Sequence, residues 1–202
     1  MKHQKLLAAA MAALSVCGCT QGVSLAYSPS ASPAKVDGPP TIANVSTLDR
    51  RNEQDPTWIG AIRGGFGNPL KVLHLSSPLA ETVTKAFREA LAARGLLAPG
   101  GQGNFDLSVT VPKFQSTQMV RREAEATIAI ELLDRTSGRV VYHNQAEVDL
   151  VAGSVLALDT GVFASPSDLQ AVAQKALTQA IDQLLDNPAF IAAARSRLNV
   201  TS

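Results

Sequence analysis

Residues 121–150 read RREAEATIAIELLDRTSGRVVYHNQAEVDL, and this stretch decides the fold. From Ala124 to Leu132, small or aliphatic residues alternate with polar ones, which is the period of a strand with one buried face. A polar turn follows and ends in Gly138, a residue that can adopt positive φ at low cost. Residues 140–150 alternate again, with an apolar face and a polar face. The stretch therefore predicts an antiparallel hairpin with one face buried.

The segment before this hairpin has the same period. Apolar residues alternate with polar ones from Phe105 to Val111, and Pro112 is expected to end the strand because proline cannot donate to a sheet ladder. The three segments together predict a three-stranded meander. Further upstream, short apolar runs predict three more strands, near residues 42–48, 58–62 and 70–75.

Two segments have apolar residues at the 3–4 spacing of an amphipathic helix. The first is predicted to have Ser77 as its N-cap and Pro78 at its first helical position, and to end before Gly95. Arg94 lies in its last turn, where a cation interacts favourably with the helix dipole. Gly95 suits the position that follows a helix, where positive φ is common.

The second helix is predicted to begin at Ser165-Pro166 and to break at Asn187-Pro188, with a short helix over residues 189–198. A sheet that alternates has one apolar face, and the two amphipathic helices can cover it. The sequence therefore predicts an α+β fold. We expect an antiparallel or mixed sheet, two amphipathic helices packed on one face, and a short C-terminal helix.

The N-terminus has the parts of an export signal. Lys2 and Lys5 precede an uncharged run over residues 6–16, and Gly18 and Cys19 follow it. This run is about half of the roughly 20 apolar residues that a spanning helix requires, so it indicates a signal peptide. Val16 to Cys19 resembles the bacterial lipobox, whose pattern is an aliphatic residue, one variable residue, a small residue and then cysteine. This resemblance implies cleavage between Gly18 and Cys19 and lipid attachment at Cys19.

Cys17 competes with Cys19 for this role, but the branched Val16 before it suits a cleavage site poorly, whereas the small Gly18 precedes Cys19. An ordinary secretory signal, or a metal or redox pair of the two cysteines, is the alternative. The chain has no third cysteine, and the pair lacks the C-x-x-C redox spacing.

Composition bounds the organisation and excludes some functions. Residues 1–18 are predicted to be the signal peptide, residues 19–40 a lipidated N-terminus with a flexible Ser/Pro-rich tether, and residues 41–198 a single domain. Loss of Lys2 and Lys5 lowers the formal net charge of the chain from +1 to −1. No basic excess remains to favour nucleic acid as a partner.

The sequence shows no catalytic constellation, and we expect no cofactor and no metal site. His74 and His143 lack ligand partners at metal-site spacing, and Glu123, Glu125 and Glu131 fit the solvated face of a strand. A weaker hypothesis concerns a partner surface formed by three large apolar residues expected in loops: Phe114, Met119 and Phe163.

The chain resembles the YajG-like family of bacterial envelope lipoproteins. The resemblance is carried by the lipobox that ends at Cys19 and by the order of the segments that follow: residues 91–96 (LAARGL), 105–109 (FDLSV), the meander at 127–148, and 187–191 (NPAFI). That family is similar in layout to auxiliary lipoproteins of envelope ABC transport systems. The resemblance implies no catalytic residues. In the sorting system that such families use, an Asp after the lipidated cysteine retains the protein at the inner membrane. Thr20 occupies that place, so the resemblance implies the periplasmic face of the outer membrane.

Three functions compete at this point. The first is a membrane-anchored, non-enzymatic accessory lipoprotein that acts on another envelope protein. The second is an auxiliary subunit or carrier that binds a lipid or apolar ligand, which predicts an enclosed apolar cavity between sheet and helices. The third, an enzyme, requires a cleft that joins a histidine to acidic residues with shifted pKa values.

Overall fold

The computed structural model describes residues 22–29, 31–152 and 165–196. These residues form one mixed sheet with three α-helices, which confirms the predicted α+β fold. The strands are β1 (Ile42–Asp49), β2 (Trp58–Arg63), β3 (Pro69–His74), β4 (Phe105–Gln118), β5 (Arg122–Asp134) and β6 (Val140–Ala152). The helices are α1 (Leu79–Ala93), α2 (Pro166–Leu185) and α3 (Pro188–Arg195).

The strand order across the sheet is β3-β2-β4-β5-β6, and β1 pairs with β4 beside β2. Strands β4, β5 and β6 form the predicted antiparallel meander, with Gly138 at positive φ in the turn. Strands β1 and β2 both run parallel to β4, and each pairs with a different half of it. The sheet is therefore mixed.

Strand β4 is longer than the sequence predicts. Pro112 does not end it, because the register between β4 and β5 shifts between Thr110 and Lys113. At a bulge, one residue is left out of the hydrogen-bond ladder. Proline has no N–H to donate, so a strand can contain proline at such a position. The strand then continues to Gln118, and this second half is the part that pairs with β2.

The helices pack on one face of the sheet, as predicted. Helix α2 lies over β4, β5 and β6, and α1 lies over β1. Ser165 caps α2 by accepting a hydrogen bond from the Ser167 N–H. The predicted Ser77 cap is wrong: Pro78 occupies the N-cap position of α1 and makes no side-chain capping bond. Gly95 follows α1 with a positive φ of 73°.

Side chains from the sheet and both helices fill the space between them. The alternating inward residues of β5 are buried, as their period predicts. The largest apolar side chains in this core are aromatic: Phe87, Phe105, Phe114 and Phe190. Within the part of the chain that the structure describes, no helix combines the length and the hydropathy needed to cross a bilayer.

The N-terminal segment packs on the domain. Val23 forms a parallel bridge with Leu75, directly after β3. Leu25 is only 5% exposed and belongs to the core. A flexible tether was expected over residues 19–40, but residues 23–28, which we call the strap, lie along α2.

Candidate functional site

The structure does not bring the predicted site residues together. Gly18, Cys19 and Phe163 lie outside the described residues. Met119 is 47% exposed, in the turn after β4. Phe114 is 2% exposed, so its assignment to an exposed partner surface is wrong. Because β4 continues past the bulge, Phe114 occupies an inward position opposite Ala126.

The two histidines lie on opposite edge strands of the sheet. The Nδ1 atom of His74, at the end of β3, is 3.1 Å from a carboxylate oxygen of Asp55. Hydrogen bonds from the Thr57 side chain and N–H lower the pKa of Asp55. His143 is exposed on β6, opposite Glu131. Among residues 22–29, 31–152 and 165–196, no three His, Cys, Asp or Glu side chains are arranged to hold a metal ion.

A buried arginine is the most strongly bonded polar group on the helical side. Arg94 follows α1, and its side chain is 1% exposed. Its Nε donates to Asp186 at 2.7 Å, and its Nη2 donates to Asp182 at 2.8 Å and to Asp186 at 2.9 Å. Its Nη1 donates to the Tyr27 hydroxyl at 2.9 Å. We call these four residues the Arg94 cluster.

Tyr27 connects the strap to this cluster. Its hydroxyl donates to Asp182 at 2.6 Å while it accepts from Arg94. Burial, together with the hydrogen bond to Asp182, raises the pKa of Tyr27 to about 12. Burial opposes the charged form of Arg94, but its hydrogen bonds to Asp186 and Asp182 outweigh burial and raise the pKa of Arg94. The cluster therefore contains a permanent cation and a neutral phenol at neutral pH.

The strap is also held by a polar stripe along α2. Four side chains at i, i+4 spacing face it: Gln170, Gln174, Thr178 and Asp182. The Gln174 side chain accepts from the Ala26 N–H at 2.9 Å and donates to the Ala26 carbonyl oxygen. The Gln170 amide donates to the Ser24 carbonyl oxygen at 2.8 Å. These side-chain amides bond to backbone N–H and carbonyl groups of the strap, as the backbone of a neighbouring strand would.

The sequence contains a signal for this interaction. The polar stripe borders the apolar stripe of α2, and Leu25 and Tyr27 are the large side chains of an otherwise small and polar segment. Arg94 was interpreted as a partner of its own helix dipole. Its carboxylate partners lie 88 and 92 residues further along the chain, beyond the reach of a local pattern.

A cavity of about 470 Å³ lies beside the Arg94 cluster, between residues 31–37 and the ends of the helices. Arg94, Asp182 and Asp186 line it, and they are hydrogen-bonded to one another. The carrier hypothesis expects an enclosed apolar cavity between sheet and helices, whereas this cavity lies at the helix ends and is lined by charged side chains as well as apolar ones. The hydrogen bonds of Arg94 and Asp182 to the Tyr27 hydroxyl hold the strap against the ends of the helices.

Comparison with known proteins supports the fold. No protein-family model matches the chain, and no curated protein matches it. Protein XCC0632 from Xanthomonas campestris, of family DUF330, has a similar structure, with a TM-score of 0.57 and 16% identity over 83% of this chain and 96% of that one. At this identity the likeness concerns the fold alone.

Two further structures are similar at lower scores. A minor lipoprotein from Acinetobacter baumannii has a TM-score of 0.38 and 9% identity, over 59% of this chain and 89% of that one. Lipoprotein GNA1162 from Neisseria meningitidis has a TM-score of 0.32 and 13% identity, over 74% and 100%. The fold comparison rests on the Xanthomonas protein, and the YajG-like resemblance stays a prediction.

Proposed function

We propose that this protein is a lipid-anchored bacterial envelope lipoprotein that acts as a non-enzymatic accessory module. The lipid is attached at Cys19, and the α+β domain is presented to another envelope protein from the periplasmic face of the outer membrane. The observation that carries the proposal is the fixed position of the strap. Its first residue, Val23, is only four residues after Cys19.

This short distance gives the anchor a mechanical role. A flexible tether would let the domain rotate freely at the membrane, whereas the strap fixes the point at which the chain leaves the domain. Buried Leu25 and the hydrogen bonds to Arg94 and Asp182 hold it there. A fixed exit point sets which surfaces face the membrane and which face the periplasm. Such an arrangement suits a module whose task is to present one surface to a partner.

The charged groups support a non-enzymatic role. Arg94 is paired with two carboxylates, Arg51 is paired with Asp49 at 2.8 Å, and Lys113 is paired with Glu125 at 2.9 Å. Pairing of this kind stabilises structure and leaves these groups bonded to each other. The partner is proposed to be a protein, because the chain has no basic excess for nucleic acid.

The anchor is tested by replacing Cys19 with serine in the full-length protein. We expect loss of labelling by radioactive palmitate and release of the protein from the membrane fraction. Cys17→Ser is the matched control and should leave both properties unchanged. Equal membrane retention of the two variants would contradict the proposal.

The accessory role is tested by cross-linking the lipidated protein in cells, and we expect one envelope protein to be recovered from the wild type and lost with Cys19→Ser.

A further inference from the structure

The turn between β2 and β3 presents an aromatic side chain to solvent. The turn is ordered by backbone bonds from the Gly64 N–H to the Asn68 carbonyl oxygen at 2.9 Å and from the Gly67 N–H to the Gly64 carbonyl oxygen at 2.8 Å. The Arg63 guanidinium adds a bond to the Gly67 carbonyl oxygen at 3.1 Å. Phe66, at the apex, is 102% exposed, so its ring contributes nothing to the packing of the domain.

Other exposed apolar residues lie at the same end of the sheet. Ile62 pairs with Gln118, so β2 and β4 reach this end side by side. The turn after β4 carries Met119 and Val120, which are 47% and 61% exposed. Strand β3 adds Leu70 at 46% and Val72 at 45%. We call this surface the apolar tip: Phe66, Leu70, Val72, Met119 and Val120.

Basic residues are neighbours in the chain of the residues that form the apolar tip. Arg63 ends β2, Lys71 lies between Leu70 and Val72 on β3, and Arg121 follows Val120. Arg63 donates a hydrogen bond to a carbonyl oxygen, and Arg121 lies 3.9 Å from Glu123 at the margin of the tip. Apolar residues with a rim of Lys and Arg are typical of surfaces that enter the boundary between headgroups and acyl chains. The rim is attracted to anionic lipids.

The anchor leaves the domain at the edge of the sheet that carries this surface. Val23 pairs with Leu75, directly after β3. Four extended residues span at most about 14 Å, so Cys19 lies within that distance of Val23. Val72, on β3, is three residues before Leu75, a separation of about 10 Å, and Pro69, at the Phe66 end of β3, is six residues before it, about 20 Å. A membrane along the β3 edge therefore meets both ends of the strand. The lipid and the apolar tip can therefore reach one membrane surface together.

We propose that the apolar tip inserts into the membrane that holds the lipid of Cys19, with its basic rim at anionic headgroups. This inference rests on the proposed lipid anchor. Phe66 and Val120 enter the boundary of the bilayer, and the edge strand β3 lies against it. The opposite edge strand, β6, is held away from the membrane.

The position of the tip is tested with a fluorescent label. The mature lipidated protein has no free thiol, so a cysteine introduced at Val120 can be labelled selectively with the environment-sensitive dye NBD. The lipidated full-length protein is reconstituted in vesicles of phosphatidylethanolamine and phosphatidylglycerol that contain lipids brominated on the acyl chains. Val141→Cys is the matched control, because Val141 is 44% exposed on β6.

We expect a blue shift and loss of fluorescence by bromine quenching at position 120, with neither change at position 141. Phe66→Asp in the Val120→Cys background should reduce the quenching, and replacing phosphatidylglycerol with a neutral lipid should reduce it as well. Circular dichroism checks that each variant is folded.

Equal quenching at the two positions in membrane-bound protein would overturn the inference and leave the lipid anchor standing. Dye incorporation into protein without an added cysteine would show that Cys19 is uncapped, and loss of that protein from the vesicles would overturn both proposals. If position 120 shows no bromine quenching but its emission shifts to the blue when an envelope protein is added, the tip binds protein and the inference is wrong.

Discussion

Replacement of Arg94 by methionine tests whether the Arg94 cluster fixes the strap. Methionine keeps an unbranched apolar stem in the same space but removes the guanidinium. Removing one partner of a buried ion pair commonly costs about 3–5 kcal/mol. Here the carboxylates of Asp182 and Asp186 are 34% and 53% exposed, so they can be hydrated once the cation is gone.

Hydration of the two carboxylates lowers the expected loss of unfolding free energy in Arg94→Met below the value for a fully buried pair. The lost bonds to the Tyr27 hydroxyl and the Ala90 carbonyl oxygen add to it, since each hydrogen bond contributes about 1 kcal/mol. We expect the free energy of unfolding to fall by about 2–3 kcal/mol in Arg94→Met. For a domain of this size the melting temperature should fall by about 4–12 °C.

The assay is urea unfolding of the mature chain carrying Cys19→Ser, followed by the fluorescence of its single tryptophan, Trp58. Lys113→Met is the matched control. That lysine is 50% exposed, and its pair with Glu125 should be worth less than about 1 kcal/mol. Hydrogen exchange at the Ala26 and Ser28 amides should accelerate in Arg94→Met, because the strap loses its attachment. If the two variants unfold at the same urea concentration, or if strap exchange is unchanged, the reasoning fails.

Two further predictions concern pH and the core. The pKa of Tyr27 is raised from 10.0 to about 12 in the folded protein, so the unfolded chain loses this proton first. The free energy of unfolding should be unaffected by this group below pH 10 and should decline between pH 10 and pH 12, and Tyr27→Phe should lack that decline. In folded Tyr142→Phe, where Tyr27 is the one remaining tyrosine, tyrosinate absorbance should appear near pH 12. In urea unfolding, Phe114→Ala should lower the free energy of unfolding by about 3–5 kcal/mol and Met119→Ala by less than about 0.5 kcal/mol. Similar losses for the two variants would contradict the burial of Phe114 in the core.

Periodicity predicted most of the fold because it reports which face of an element is buried. The alternation around Ala124 and the helical spacing before Gly95 each follow from one local rule, and the structure agrees with both. Pro112 misled the prediction for a physical reason. Proline excludes a ladder bond, but the sequence does not reveal that a bulge removes the need for that bond. The error moved Phe114 from the core to a loop.

The candidate site was less accessible from sequence. Arg94 fits the local rule for a cation at a helix end, and the same side chain also satisfies carboxylates on α2. Only the packing of α1 beside α2 brings these groups together. The strap was interpreted as a tether because Ser and Pro dominate its surroundings, although burial of Leu25 and a few polar bonds are enough to dock it.

The strap and the apolar tip constrain the orientation of the domain from two directions. One attachment near Val23 would still allow rotation about the anchor. In the proposed arrangement, Phe66 and Val120 lie on two different turns and add two contacts to the anchor near Val23. Three points that are not on one line fix the orientation of the domain against the membrane. Strand β6, at the opposite edge of the sheet, would then point away from the membrane. An accessory protein held in this way would present the β6 edge to its partner, so partner cross-links should concentrate on residues 140–152 and be absent from the hairpin around Phe66.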